Sequence, residues 1–150
     1  MQTFKEQLIE LNACDGAISW VGKKTFKEAW EQAERGDWML WIYRKLYPDN
    51  LRELTLAKGH CANIVRHLMK DERSTNAVDI AIKFGNNEAT IEELNAAYSA
   101  ASAASSAAAY AAAAHSAADA AAYAAAAHAT LKNARQQTAD ICRKYLTPIF

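Results

Sequence analysis

The four tryptophans of this chain are the side chains whose type and spacing best suit a binding site. Trp38 and Trp41 lie three residues apart, a spacing that places both rings on one face of a helix. Such flat rings could wall a pocket for a nucleobase or another planar ligand, which would stack on them. The alternative, that the rings fill the hydrophobic core, is favoured because aromatic side chains dominate core burial. The residues predicted to contact a ligand are Trp20, Trp38, Trp41, Arg73 and Tyr110.

Arginines supply a second candidate chemistry, the recognition of an anion. Arg73 closes the motif Asp71-Glu72-Arg73, and its planar guanidinium could hold a carboxylate or a phosphate through two hydrogen bonds. The structural alternative is that Asp71 caps the next helix while Arg73 forms an ion pair. This alternative is favoured because aspartate is a preferred N-cap residue. Arg44 and Arg66 are further candidates for contacting an anionic ligand.

Histidine and cysteine patterns give weaker indications of chemistry. His60 and His67 lie two helical turns apart, and His115 and Asp119 have the i, i+4 spacing that can hold a metal ion on one helix face. Neither pair has a third ligand nearby in sequence, so no metal site is predicted. Cys61 follows His60 directly, and adjacent helical residues point in different directions, so the histidine cannot easily activate the thiol. Because the chain also has no glycine-rich phosphate loop, no GxSxG and no HExxH, we predict no catalytic residue, no cofactor and no enzymatic activity.

A long stretch without glycine or proline, from Ile91 to Leu146, must shape the rest of the chain. Its middle, residues 96–129, is almost entirely alanine, which has the highest helix propensity. One unbroken helix of this length would extend roughly 80 Å, whereas a compact domain of this size has a radius of gyration of only about 15 Å. We therefore predict a break that gives two antiparallel helices with closely packed alanine faces. Serine can cap a new helix, which favours a break at Ser105-Ser106, with His115-Ser116 as the second choice.

The first part of the chain shows apolar residues at helical spacing between turn signals, with no alternation typical of a strand. Asp15-Gly16 is expected to end the first helix and to begin a loop over residues 17–24. Capping boxes are expected at Thr25–Glu28 and Thr90–Glu93, and Asp37 is expected to cap a helix. Before the alanine-rich tract, the predicted helices cover residues 3–14, 26–35, 38–46, 51–69 and 75–84.

These patterns predict an all-α fold, an irregular antiparallel helical bundle of about seven helices with two or more long alanine-rich helices at the C-terminal end. The chain of 150 residues is expected to be a single helical domain. Within it, the short helices of residues 1–88 should supply the bulky core, and residues 89–150 should form an alanine-rich helical hairpin. Alanine faces suit packing against a second copy equally well, so a homo-oligomer is left open.

The overall composition restricts the class of partner. The formal net charge is +0, whereas a general nucleic-acid binder needs excess lysine and arginine to displace counterions, so no nucleic acid is expected. Three widely spaced cysteines with no CxxC pair favour free thiols in a reducing compartment, and hence a cytoplasmic protein. The charged, amphipathic N-terminus is unlike a signal peptide, and the alanine tract is too weakly apolar to favour a membrane.

Several stretches, in order over most of the chain, form a pattern that composition alone does not produce. The Gly-Asp-Trp and capping-box pieces are the most specific. The stretches are Ala13–Gly22, Thr25–Trp30, Arg35–Trp41, Asp71–Arg73, Glu88–Glu93, the alanine tract and Ala139–Tyr145. This pattern resembles a small all-helical family of bacterial and phage proteins with alanine-rich C-terminal helices, some of whose members are labelled as immunity proteins. The resemblance implies an all-α fold and a prophage or toxin-immunity context, and it supplies no catalytic residues.

Two functions from different classes are consistent with these observations. The first is a non-enzymatic interaction protein of immunity or phage-inhibitor type, which binds a protein partner through the exposed face of its bundle. The alternative is a protein that binds or sequesters a small anionic ligand, such as a nucleotide signal. Its pocket would be lined by the tryptophans and by tyrosines of the alanine-rich helices. A cavity ringed by tryptophan and arginine is the feature that would support the alternative.

Overall fold

The computed structural model describes residues 2–64, 66–113 and 118–150, without the side chains of Leu68 and of residues 103–131. Within these ranges the chain forms eight α-helices and one short 3-10 helix, with no strand. The prediction of an all-α fold is therefore confirmed. The helices are α1 (Phe4–Glu10), α2 (Asp15–Val21), α3 (Phe26–Gln32), α4 (Gly36–Leu46), α5 (Leu51–Asn63), the 3-10 helix Arg66–Leu68, α6 (Glu72–Gly85), α7 (Ile91–Ala113) and α8 (Ala118–Tyr145).

Capping boxes begin three of these helices. At the start of α3, the Glu28 backbone N–H donates to Thr25 Oγ1 at 3.2 Å, and the Thr25 N–H donates to Glu28 Oε2 at 2.8 Å. Each bond satisfies a donor that the first helical turn leaves without a partner. The predicted boxes of α3 and α7 are confirmed, and α1 has a third one, which the sequence analysis did not identify. The pairs at α7 and α1 are Thr90 with Glu93 and Thr3 with Glu6.

The predicted first helix and the loop after it are wrong. Helix α1 ends at Glu10, and Asn12 follows with a φ of 57°, the left-handed region that asparagine tolerates better than most residues. Residues Asp15–Val21, which were expected to form a turn and a loop, are helix α2. Asp15 lies in its first turn, where a negative charge complements the helix dipole. The Asp-Gly pair therefore begins a helix instead of ending one.

Other helix boundaries also differ from the predictions. Asp37 does not cap α4, which begins one residue earlier, at Gly36, and the Asp37 carboxylate instead pairs with Arg35. Helix α5 ends at Asn63 and does not continue to Met69. Helix α6 begins at Glu72 because Asp71 caps it, so that the structural interpretation of Asp71 is confirmed.

The predicted break at Ser105-Ser106 is wrong, because helix α7 runs through both residues. Two serines among strong helix formers do not outweigh the propensity of the surrounding alanines. The second choice, His115-Ser116, lies outside the described residues. Helix α8 then extends from Ala118 to Tyr145.

The main core is formed by α1 to α5 together with the last turns of α8. Large side chains come from the first five helices, α8 contributes the smaller Ala139 and Cys142, and Leu146 follows directly after α8. A second, smaller cluster joins α6 to α7 through Ala81, Phe84 and Leu94. Within the described ranges, no helix is both long and apolar enough to cross a membrane.

Two contacts of α8 fix the helices that carry tryptophan. At Gly36, a β-carbon would lie 2.5 Å from the carbonyl carbon of Thr138, so the two backbones approach more closely than any larger residue would allow. Arg143 donates from Nη1 to the carbonyl oxygens of Trp30 at 3.1 Å and of Ala33 at 2.8 Å, which satisfies the C-terminal end of α3. Through these two contacts, helix α8 fixes the positions of α3 and α4.

Candidate functional site

A cavity of about 450 Å³ lies among the first four helices, and all four tryptophans line it. Trp20 comes from α2, Trp30 from α3, and Trp38 and Trp41 from α4. The volume falls within the roughly 300–1,000 Å³ that is usual for small-molecule sites. The apolar wall is completed by Phe4, Leu8, Ala13, Ala17, Val21, Phe26, Ala29, Ala33, Met39 and Ile42, and the polar lining residues are Asn12, Cys14, Arg35 and Asp37.

The tryptophans divide between core and cavity wall, so neither of the two interpretations describes all of them. Trp30 is buried and packs edge-on against Phe26, with ring centroids 5.9 Å apart and planes at 78°. Trp20, Trp38 and Trp41 are only half-buried. The Trp20 and Trp38 rings lie 6.0 Å apart and are tilted by 56°. Three rings of the wall thus keep part of their surface accessible to solvent.

A cation lies close to each half-buried tryptophan. Lys24 Nζ is 4.6 Å from the Trp20 ring centroid, and the same atom donates to the Trp20 carbonyl oxygen at 2.9 Å. Arg35 Cζ is 4.4 Å from the Trp38 centroid, and Lys45 Nζ is 5.7 Å from the Trp41 centroid. These distances are within the range of cation–π attraction. They bring three positive charges near the cavity, although the net charge of the whole chain is +0.

Arg35 and Asp37 form the charged part of the wall. Arg35 Nε donates to Asp37 Oδ1 at 2.8 Å, and Arg35 Nη2 donates to Asp37 Oδ2. The guanidinium lowers the pKa of the Asp37 carboxyl below its ordinary value, and the carboxylate raises the pKa of Arg35. The Arg35 and Asp37 side chains are 30% and 55% exposed, so an incoming anion can compete for the guanidinium. This pair can therefore change partners when a ligand binds.

The predicted anion-binding arginines lie elsewhere. Arg73 is exposed at the start of α6, where Nη2 donates to Asp71 Oδ2 at 2.8 Å, and this pair holds the pKa of Asp71 at about 2. Arg66 pairs with Asp79, with Nη2 and Oδ2 2.9 Å apart, and Arg44 is exposed on α4. None of the three lines the cavity.

Tyr110, the other predicted ligand residue, lies outside the described side chains, as do His115 and Asp119 of the second histidine pair. Among the described residues, no group of three or more histidine, cysteine and acidic side chains could hold a metal ion. His60 instead stacks on Tyr145, with ring centroids 4.3 Å apart and an interplanar angle of 3°. His67 is exposed.

Sequence reasoning did not select Arg35, the arginine that lines the cavity. The sequence around Arg35 gives only a weak indication of a binding role, because an arginine three residues before a tryptophan and two before an aspartate is common on solvated helix ends. Arg35 lies at the cavity because the neighbouring Gly36 meets Thr138 of α8, a contact between residues far apart in the chain. By contrast, the i, i+3 spacing of Trp38 and Trp41 correctly indicated that the two rings share a surface.

Comparisons of the chain with protein-family models, with curated proteins and with solved structures find no match.

Proposed function

We propose that the protein binds a small, planar, largely apolar ligand with one anionic group in the tryptophan-lined cavity. The observation that carries the proposal is the enclosure of one cavity by all four tryptophans of the chain together with Arg35. Ligand binding was the alternative function considered from the sequence. A cavity ringed by tryptophan and arginine was the feature expected to support it.

The composition of the wall defines the class of ligand. Aromatic rings stack on planar π systems, and the remaining wall is mostly aliphatic, so the body of the ligand is expected to be an aromatic ring system. The polar groups are few, and Arg35 is the cation among them, which suits one carboxylate or phosphate. An aromatic acid fits this pattern better than a nucleotide does, because a ribose and several phosphates would meet mainly apolar side chains.

The same wall supports binding without chemical conversion. Among the described residues that line it are one thiol, Cys14, and one carboxylate, Asp37, but no histidine. The Asp37 carboxylate is ionised and accepts hydrogen bonds from Arg35, so it is not available as a base. Nucleophilic catalysis needs a base within hydrogen-bond reach of the nucleophile, and no such pair is found among the hydrogen bonds of these lining residues. We therefore propose a binding or sequestering role.

The test is a thermal-shift and calorimetric titration with aromatic carboxylates, aromatic phosphates and nucleotides. We expect an aromatic acid to bind, and Arg35→Gln to weaken it by roughly tenfold to a hundredfold, because a hydrogen bond to a charged group contributes about 1.5–3 kcal/mol. Asp37→Asn should strengthen binding, since it frees the guanidinium and removes a negative charge. Trp38→Ala should weaken all ligands of the series.

Arg73→Gln is the matched control, because Arg73 also pairs with an aspartate two residues away at a helix start but does not line the cavity. We expect this variant to bind like the unmodified protein. The proposal is wrong if no compound of the series binds, or if the Arg35 and Arg73 variants have equal affinities.

The interaction-protein hypothesis, with an immunity or phage-inhibitor role, remains a prediction. Exposed apolar side chains that a protein partner could cover include Ile9 on α1, Leu51 on α5, and Ile91 and Tyr98 on α7. Ile91 and Tyr98 share α7, whereas Ile9 and Leu51 lie on two other helices, and singly exposed apolar residues are ordinary on protein surfaces. The cavity consequently supports ligand binding more strongly than this surface supports a protein partner.

A further inference from the structure

Two thiols, Cys61 on α5 and Cys142 on α8, lie in the region where these two helices pack together. Cys61 is half-buried near the end of α5, and Cys142 is fully buried on α8. The Cys61 sulfur lies 4.0 Å from the Thr138 carbonyl oxygen. In an α-helix that carbonyl accepts the backbone N–H four residues later, which is the N–H of Cys142. The Cys61 sulfur therefore faces the helical turn that carries Cys142.

The neighbouring Cys142 side chain lowers the pKa of the Cys61 thiol, whereas Cys61 and burial together raise the pKa of the Cys142 thiol. The Cys142 sulfur is 3.6 Å from the Gly36 carbonyl oxygen, which can accept its proton. The accessible thiol thus gains thiolate character, and the thiolate is the form that reacts with oxidants. The buried thiol keeps its proton.

We propose that Cys61 and Cys142 form a redox pair that hydrogen peroxide converts into a disulfide linking α5 to α8. The Cys61 thiolate attacks one peroxide oxygen, so that an S–O bond forms, the O–O bond breaks and water leaves after protonation. The Cys142 sulfur then attacks the resulting sulfenic acid, so that the S–S bond forms, the S–O bond breaks, and the departing hydroxide takes the Cys142 proton as a second water. Two thiols are oxidised and one peroxide is reduced.

The third cysteine of the chain serves as an internal reference. Cys14 is exposed at the N-cap of α2, and no other cysteine is among the described residues that line the cavity with it. Exposure alone would make Cys14 the first thiol to react. By contrast, the positions of Cys61 and Cys142 on packed helices make these two the cysteines that form the disulfide.

The experiment treats the full chain with hydrogen peroxide and maps its peptides by mass spectrometry without reduction. We expect a Cys61–Cys142 linked peptide whose mass is lower by two hydrogens than the sum of its parts, in a monomeric protein. The linked form should melt at a higher temperature than the reduced form, because a cross-link lowers the entropy of the unfolded chain. A reductant should reverse both changes.

Cys61→Ser is the test of the order of attack, with circular dichroism as the check that it folds. In this variant Cys142 should stay a free thiol under the same treatment, since peroxide cannot reach it directly. The proposal is overturned if the unmodified protein retains free Cys142, if Cys61 proceeds to sulfinic acid without linking, or if the linked peptides join Cys14 instead. The map of the unmodified protein decides the matter even if the variant does not fold.

Discussion

At the residue scale, Arg35 is the group on which the proposed recognition depends. It contacts the Trp38 ring, pairs with Asp37 and lines the cavity at the same time. A guanidinium can do this because its planar fork hydrogen bonds at the edge while its face stacks on an aromatic ring. The exposed fraction of Asp37 leaves the pair open to exchange with an anion. Arg35 is thus both a structural support for Trp38 and the proposed anchor of the ligand.

His60 should make the stability of the protein depend on pH near neutrality. Burial, assisted by the positive charge of Lys144, lowers the pKa of His60 from its ordinary 6.5. A histidine whose pKa is lower in the folded state than in the unfolded state contributes stability above about pH 6.5, and this contribution is lost as the pH falls. Denaturant unfolding from about pH 7.5 to about pH 5 should show this loss, and His60→Gln should reduce it. His67→Gln is the control, because His67 is exposed, and an equal effect of both variants would contradict the assignment.

At the element scale, helix α8 positions the helices that form the cavity wall. Its contact at Gly36 and its Arg143 hydrogen bonds to the end of α3 join residues that are far apart in sequence. The cavity wall therefore depends on a helix that contributes none of the described lining residues. Two predictions test these contacts separately.

Gly36→Ala should destabilise the protein by about 1–3 kcal/mol, the usual cost of overpacking. The added β-carbon would lie 2.5 Å from the carbonyl carbon of Thr138, and backbone cannot rotate away as a side chain can. Gly16→Ala is the matched control, since its β-carbon would lie 3.6 Å from Trp38, an ordinary contact. Because alanine favours a helix, this control should range from unchanged to about 1 kcal/mol more stable. Urea unfolding of both variants measures the difference, and equal stabilities would contradict the account.

Arg143→Gln should also destabilise the protein, by about 1–3 kcal/mol, because it leaves carbonyl oxygens at the end of α3 without their charged donor. Lys132→Gln changes an exposed cation on the same helix and should alter the unfolding free energy by less than about 0.5 kcal/mol. Urea unfolding followed by tryptophan fluorescence reports the stability of both variants. Equal effects of the two substitutions would show that Arg143 acts only as a surface charge.

Local signals predicted those elements whose cause is local. The capping boxes at Thr25 and Thr90 need only residues three positions apart, and both were identified correctly. Helix α2 was not predicted, because an Asp-Gly pair can stand either at the start or at the end of a helix. Compactness of the whole chain predicted a break but not its position, and the choice of Ser105-Ser106 rested on serine as a helix cap, which the surrounding alanines outweigh.

At the scale of the whole molecule, bulky aromatic residues from the first half meet small residues from the last helix. Ala139 and Cys142 of α8 are fully buried beside the tyrosine and tryptophan side chains of the main core. Small side chains let α8 approach closely, whereas the cavity lies among the first four helices, which carry the tryptophans. The position of this cavity was not predictable from sequence, because it follows from the way in which separate helices pack.

Fluorine NMR of protein labelled with fluorotryptophan measures the central claim most directly. Each of the four tryptophans gives one resonance, which Trp→Phe variants assign. When an aromatic acid is added, the account predicts saturable shifts of the Trp20, Trp38 and Trp41 resonances, with one dissociation constant that Arg35→Gln raises. Saturation with an aromatic acid while all three resonances stay in place would contradict the account.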